Sequence, residues 1–393
     1  MNKTGLKSAI LSMSFIQMAT NAVSAVLADI AASFPEVSVT TVQYLMTFPN
    51  LLVVVSSVAA GIATQWISKK YLAVGGLMLA IVSGLFSFFF HGNIVLLFVW
   101  AGALGIGVGL VVPVANSLIT DYFDGGEKAT MLGYQTGAAN VGSMIMTFAG
   151  GSIAVFGWYW DYLVYFLAVP GLILTLLFVP EVNTVSGSEV GNRRSLGIGR
   201  LSREELYCFV TGAIFMLFFY LGPTNISMLV EERGTGSTAV AGIAASLILF
   251  GGFLTGVFFG KIAGKMRKYT VSLGFLLLST GYFLICAGKE ILFLYAGSFL
   301  VGTSNALVLP QCMGGVAGAD KRRTTILMSA VFSVANLGTF LAPVLTGISS
   351  VVMGTESAEA RFLFAGSATL VLAAVYTIYL HIFSNKVAER GNK

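Results

Sequence analysis

The sequence predicts an all-α membrane protein, with twelve transmembrane helices in two pseudo-symmetric six-helix bundles. Three observations carry that expectation. Only 10% of the residues are charged against 56% hydrophobic, and the mean hydropathy is +0.87. A soluble domain is nearer a quarter charged, because its surface must face water. Apolar runs of about 20 residues recur along the whole chain, the length a helix needs to cross a bilayer. Finally, the first and second halves share residues in the same order at nearly constant separation.

Taken in order, the spans are expected at 8–29, 40–66, 72–91, 94–118, 129–154 and 159–180, then at 205–230, 238–262, 270–288, 291–316, 325–350 and 361–384. Each must be helical, since lipid cannot satisfy exposed backbone N–H and C=O groups. Lys3 and Lys7 precede the first apolar run as they would in a signal peptide. That run carries Gln17 and Asn21 and lacks a clean cleavage pattern, so a retained span is expected. The polar stretch from Glu181 to Arg194 is the one long internal loop. It divides the chain into an N-terminal bundle (1–183), a linker (184–204) and a C-terminal bundle (205–393).

The charges orient these spans. With a cytoplasmic N-terminus, inner segments hold 19 of the 22 Lys and Arg residues, and the outer side keeps Arg233, Lys289 and Arg361. This is the positive-inside pattern, and it puts both termini in the cytoplasm, with the cytoplasmic membrane as the expected location. It also accounts for the net charge of +5 without a nucleic-acid partner.

Inventory narrows the chemistry. Cys208, Cys286 and Cys312 lie in apolar stretches at unrelated spacings, and His91 and His381 are the only histidines. Neither a disulfide framework nor a metal or triad site is expected, so no enzyme activity and no cofactor are anticipated. The glycines of the fourth span (Gly102, Gly105, Gly107 and Gly109) do not form a dinucleotide site, since no strand precedes them. They suit close helix approach.

The two halves correspond residue by residue. Gly105 and Pro113 match Gly302 and Pro310, and Asn140-Val-Gly142-Ser matches Asn336-Leu-Gly338-Thr. Lys70-Tyr71 with Gly76 matches Lys268-Tyr269 with Gly274, and Thr20-Asn21 matches Thr224-Asn225. The separations stay between 196 and 204 residues. A parallel six-plus-six repeat is an architecture of secondary transporters. On these residues the chain resembles the major facilitator superfamily over essentially its whole length. That family's loop between spans two and three reads G-x-L-A-D-R-x-G-R-K; here Gly61 and the basic pair Lys69-Lys70 remain, while Gln65, Trp66 and Ser68 replace the acid, the Arg and the second Gly. The resemblance implies a cytoplasmic gate at this loop, with Lys69 and Lys70 as its retained residues. Ala101 stands where proton-linked members often carry Arg, and Met146-Thr147 precede Gly150-Gly151 where antiporters carry G-P. Pro343 keeps that proline in the second copy, and Leu229–Gly234 resembles the drug-efflux branch.

No charge is expected in the middle of any span, so no buried Arg or Lys is expected to bind a multiply anionic substrate. Polar residues instead form stripes: Ser14, Gln17, Asn21 and Ser24 in span one, Gln43, Thr47, Asn50 and Ser57 in span two, and Thr136, Asn140, Ser143 and Thr147 in span five. Ser and Thr at such positions commonly join helices. An Asn or Gln amide has four hydrogen-bonding sites that packing alone seldom fills. The resemblance places spans 1, 4, 7 and 10 around a central cavity, flanked by 2, 5, 8 and 11. Candidate substrate-binding residues are therefore Gln17, Asn21, Asn50, Tyr134, Asn140, Tyr220, Asn225, Asn305 and Asn336. Trp100 is expected as an interfacial anchor or a cavity wall. Asp29 and Glu232, at the outer ends of spans 1 and 7, are candidates for gating or proton coupling alongside Lys69 and Lys70.

These readings converge on a secondary transporter for a small neutral, zwitterionic or lipophilic molecule. Efflux is expected ahead of nutrient uptake, and a binding protein without transport is the alternative from another class. The partners expected are the substrate, the bilayer and protons as a candidate coupling ion, with the chain acting as a monomer.

Overall fold

The computed structural model describes residues 3–64, 66–181, 201–266, 269–316 and 321–391. Gln65, Arg193, Arg194, Arg200, Arg267, Lys268 and most of the expected linker lie outside them. The described residues form helices and no strand. Eleven helical segments are long and apolar enough to cross a membrane, and the bent segment Lys3–Ser33 is a twelfth if taken as one span. The chain divides into two compact units, Met1–Leu201 and Ser202–Lys393.

In the N-terminal unit, α1 (Lys3–Ser14) runs into a 3-10 stretch, Phe15–Ala25, which is followed by α2 (Leu27–Ser33) across a 52° bend. Met18 has non-helical backbone angles, φ −120° and ψ 25°. Four longer helices follow: α3 (Val39–Ala63), α4 (Lys69–Phe89), α5 (Ile94–Tyr122) and α6 (Gly125–Ile153). The sixth span is a 3-10 stretch, Trp158–Ala168, continued by α7 (Val169–Phe178). Helix α5 starts where sequence would start it, with the Asn93 side chain accepting from the Val95 and Leu96 amides.

The C-terminal unit opens with a capping box: Ser202 Oγ accepts from the Glu205 amide while the Glu205 carboxylate accepts from the Ser202 amide. Helices α8 (Arg203–Phe219) and α9 (Leu221–Arg233) make one span, closed by Gly234 at φ 59°. Then come α10 (Thr238–Met266), α11 (Thr270–Ala287), α12 (Ile291–Gly315), α13 (Lys321–Met353) and α14 (Ala358–Gly391).

The internal repeat is visible in how helices touch. A methyl group added at Gly105 of α5 would overlap the Pro49 carbonyl of α3, and one at Gly302 of α12 would overlap the Ile248 carbonyl of α10. Gly142 of α6 lies against the Phe15 backbone of the first span, and Gly338 of α13 against the Ala213 backbone of the seventh. Matched glycines thus set matched backbone crossings, which small residues permit.

Candidate functional site

The 3-10 winding reorganises the polar stripe of the first span. With three residues per turn, Ser14 and Gln17 share one face and Asn21 and Ser24 share one. The non-helical backbone at Met18 lies between the two pairs, so the second does not continue the face of the first. Asn21, 8% exposed, donates to Ser143 Oγ of α6 at 3.4 Å, and Ser143 Oγ donates to the Met18 carbonyl at 3.0 Å. The fifth span therefore satisfies a carbonyl released at the kink of the first. Gln17 is half-buried, and its Nε2 has no hydrogen-bond partner among the described residues.

Other amides of this unit bond within their own helices. Asn50, buried, donates to the Met46 carbonyl at 3.3 Å, and half-buried Asn140 donates to the Thr136 carbonyl at 2.9 Å. Tyr134 is exposed, and Trp100 stacks on Phe86 with centroids 4.6 Å apart. Asp29 is half-buried on α2. At the other end of the unit, Lys69 pairs with Asp121 of α5, while Lys70 is half-buried. Lys7 and Lys3 face Glu127 at 2.7 and 3.9 Å, and the Lys7 hydrogen bond holds the Glu127 carboxyl below the usual carboxylate range.

A small cavity lies within this unit, lined by Thr20, Ser83, Ser87, Trp100, Tyr162 and Tyr165 over an apolar floor. Trp100 Nε1 and Tyr165 Oη are buried without a hydrogen-bond partner among the described residues. The cavity joins Thr20 of the first span to spans two, three, four and six. It contains none of the nine residues expected to bind substrate.

In the C-terminal unit, Asn225 has no exposed surface. It donates to the Leu221 carbonyl at 2.9 Å and to Thr346 Oγ1 of α13 at 3.4 Å, and it accepts from Arg361 Nη1 at 3.0 Å. Tyr220 sits half-buried at the α8–α9 junction. Asn305 is half-buried with Oδ1 unpartnered among the described residues, and Asn336 donates to the Phe332 carbonyl at 2.9 Å. Glu232 accepts from Ser357 Oγ and from the Ala358 amide, so its carboxylate caps the start of α14. Among the expected residues, then, the structure joins Asn21 to the fifth span and Asn225 to the eleventh and twelfth.

The expectation of an uncharged interior needs correction. Asp161, the fourth residue of the sixth span's 3-10 stretch, has no exposed surface. Arg361, placed by sequence at the outer edge, is only 4% exposed and lies under α9. The Arg233 side chain, 6% exposed, donates to the Ile285 and Gly288 carbonyls and lies 3.5 Å from Glu359. Buried arginines therefore exist, each bonded to neighbours in its own unit, with Arg233 Nε and Nη2 left without a hydrogen-bond partner among the described residues. Windowed hydropathy hides such residues because each stands at the edge of an apolar run. The available signal was Asp161 itself, an acid inside the aromatic run Trp158–Phe166.

The sequence of residues 9–313 matches the family model described as Major Facilitator Superfamily. No curated protein is similar enough in sequence to count as a relative. Among solved structures, the chain is similar to a POT family transporter in complex with a thioalcohol-conjugated peptide, with a TM-score of 0.74, 15% identity, and coverage of 98% of this chain and 96% of that one. A POT family transporter in complex with 5-aminolevulinic acid gives 0.74, 14%, and 96% of each chain. A bacterial homologue of the human lysosomal transporter Spinster, inward-facing and occupied, gives 0.71, 16%, and 96% of each chain. At these identities the structural likeness speaks for the fold, and the sequence match speaks for the family: this chain belongs to the Major Facilitator Superfamily.

Proposed function

We propose that the protein is a secondary active transporter that moves a small neutral, zwitterionic or lipophilic organic molecule across the cytoplasmic membrane. The carrying observation is the repeat: matched glycines set matched helix crossings in two six-span units, the architecture on which alternating access operates. The termini face the cytoplasm, on the distribution of Lys and Arg. The buried arginines leave the proposed substrate class in place, since Arg361 donates to Asn225, and Arg233 donates to two backbone carbonyls and is paired with Glu359 at 3.5 Å. Arg233 Nε and Nη2 nevertheless have no hydrogen-bond partner among the described residues. Among the amides expected to meet substrate, Gln17 and Asn305 best fit a binding role, each keeping a polar atom unpartnered among the described residues.

Efflux is the favoured direction, on the Leu229–Gly234 stretch and the Phe-rich composition. Uptake of a polar nutrient is the second reading. It gains from the solved structures of similar fold that hold a peptide or 5-aminolevulinic acid. A thermal-shift screen of metabolites and drugs on the purified protein identifies a ligand, because binding to the folded state raises its apparent stability. Counterflow of that compound, radiolabelled, into proteoliposomes then tests transport. Exchange across the bilayer is expected; binding without exchange would overturn the transporter reading.

A further inference from the structure

The carboxyl group of Asp161 has neither of its oxygens compensated by the described residues: both are fully buried and neither has a hydrogen-bond partner among them. It lies directly against the α6 backbone, since a methyl group at Gly150 would overlap Oδ1. The segment that carries it packs on α4, α6, α7, the Ala154–Phe156 turn and the other 3-10 stretch, Phe15–Ala25.

Among the described residues, no hydrogen bond or ion pair joins a cation to it. On α6 the titratable residues are Glu127, Lys128 and Tyr134, all in the first third of the helix; on α4 they are Lys69, Lys70 and Tyr71, at its start. The Phe15–Ala25 stretch, the Ala154–Phe156 turn and α7 carry none. On its own segment Asp161 has Tyr159, Tyr162 and Tyr165. His91 stacks on Tyr159 at 4.0 Å and donates from Nδ1 to the Phe88 carbonyl, and Asp29 stands on α2, whose Ser33 accepts from Trp158.

An isolated carboxylate in such a place is strongly disfavoured relative to water, and such groups take up a proton instead. The same is true inside a bilayer, where an ionisable residue marks a proton relay or a substrate path more often than a packing role. Asp161 also sits in an unusual part of the backbone. Long 3-10 runs are uncommon and mark hinges or strained sequence. The 11-residue 3-10 run of the sixth span packs on the 3-10 stretch of the first, which is broken by the non-helical backbone at Met18. Rewinding either to α-helix would move side chains around it by a fraction of a turn per residue. On the same stretch, Tyr162 and Tyr165 line the small, mainly apolar cavity with Thr20, Ser83, Ser87 and Trp100, so the residues next to Asp161 in sequence reach a hollow that holds hydroxyl groups.

We propose that Asp161 is a proton-binding site built into the N-terminal unit, occupied in this conformation and discharged through the Tyr165-lined cavity when the two 3-10 stretches rewind. The proposal rests on the transporter reading for its purpose, which is to couple substrate movement to protons. Its chemistry can be tested without that reading. One proton leaves the Asp161 hydroxyl and the electron pair stays on the carboxylate.

The decisive measurement is infrared titration of the full chain in liposomes, following the C=O stretch of protonated carboxyl groups. Wild type should show a band that survives at pH values where exposed carboxyls are ionised. Asp161→Asn should lose it, Asp161→Glu should shift it, and Asp29→Asn should keep it. A wild-type spectrum without such a band, or an unaltered band in Asp161→Asn, overturns the proposal. Asn resembles a protonated Asp, so the variant should melt within a few degrees of wild type; a large fall would mean that a charge was being held and would also overturn it. The second arm uses the compound found by thermal shift. Asp161→Asn should retain counterflow and lose at least ten-fold in accumulation driven by a pH gradient. Wild type without counterflow would sink the transporter reading and leave the infrared result standing. Wild type and Asp161→Asn with equal gradient-driven accumulation would sink the coupling role.

Discussion

The two units share their helix crossings and differ in how they treat charge. In the C-terminal unit, Arg361 is buried but bonded to Asn225 and Ser350, and Arg233 is buried but bonded to two carbonyls and paired with Glu359. Its last span, α14, is continuous α-helix from Ala358. In the N-terminal unit the corresponding sixth span begins as a 3-10 stretch, and its buried acid has no partner among the described residues. A charge with local partners holds helices together; one without them is free to exchange a proton. A duplicated scaffold can thus keep the geometry of packing in both copies while giving only one copy an exchangeable site.

The largest effect should come from breaking the compensated charge. Arg361→Leu removes the charged donor that Asn225 Oδ1 accepts from in a buried site, with an expected loss of about 2–3 kcal/mol. Thermal melting of the purified variant measures it. Melting unchanged from wild type would mean that Arg361 is no more a structural strut than Asp161 is.

The shared crossings give the next largest effect, and a test of the symmetry itself. Gly105→Ala and Gly302→Ala each put a methyl group onto a partner backbone carbonyl, which no rotamer change can relieve. Each should cost about 1–3 kcal/mol, the usual range for overpacking. The two melting shifts should agree within about a factor of two. A loss confined to one variant would show that the units are not equivalent at their closest contacts.

How much of this was legible beforehand follows from what each signal measures. Hydropathy reports the length of an apolar run, so α3 at 39–63 falls within a few residues of the span expected at 40–66. Repeated glycines report backbone approach, which is why Gly105 with Gly302 and Gly142 with Gly338 marked real crossings. Stripes of Asn and Gln assume 3.6 residues per turn, and the 3-10 winding of residues 15–25 breaks that assumption. Asn225 looked like an open amide, but its oxygen is taken by Arg361, 136 residues away, a pairing no local pattern contains. Hydropathy places Arg361 at the outer rim and passes over Asp161 for the same reason: a window average cannot tell a rim charge from a buried one at the end of a span.

A smaller contrast concerns helix ends. Glu232 caps α14 through the Ala358 amide at 2.6 Å and through Ser357, whereas the 3-10 stretch that opens the sixth span has Gly157 at its cap position and no side-chain cap. Glu232→Gln keeps an acceptor and loses the charge at the helix start, so about 0.5–1 kcal/mol should be lost, with less of it at high salt. If the same variant also abolished transport of the identified compound at unchanged stability, Glu232 would be a gate as well as a cap.

The smallest effect lies at the first turn of α6, where Glu127 meets Lys7 and Lys3 in the N-terminal unit. The Lys7 hydrogen bond lowers the carboxyl's proton affinity in the folded protein, so unfolding raises it. The folded state then binds fewer protons, and stability from this group is present above the ordinary carboxylate range and lost as pH falls through the lowered folded value. All three side chains are substantially exposed, so the contribution is weak and screened by salt. The melting temperature of wild type minus that of Glu127→Gln should be small and positive at neutral pH, fall toward zero on acidification, and shrink at about 1 M salt. A difference that grew on acidification would have the wrong sign for this pair. It would point instead to a neutral Glu127, bringing the start of α6 closer in behaviour to the uncompensated acid at the start of the sixth span.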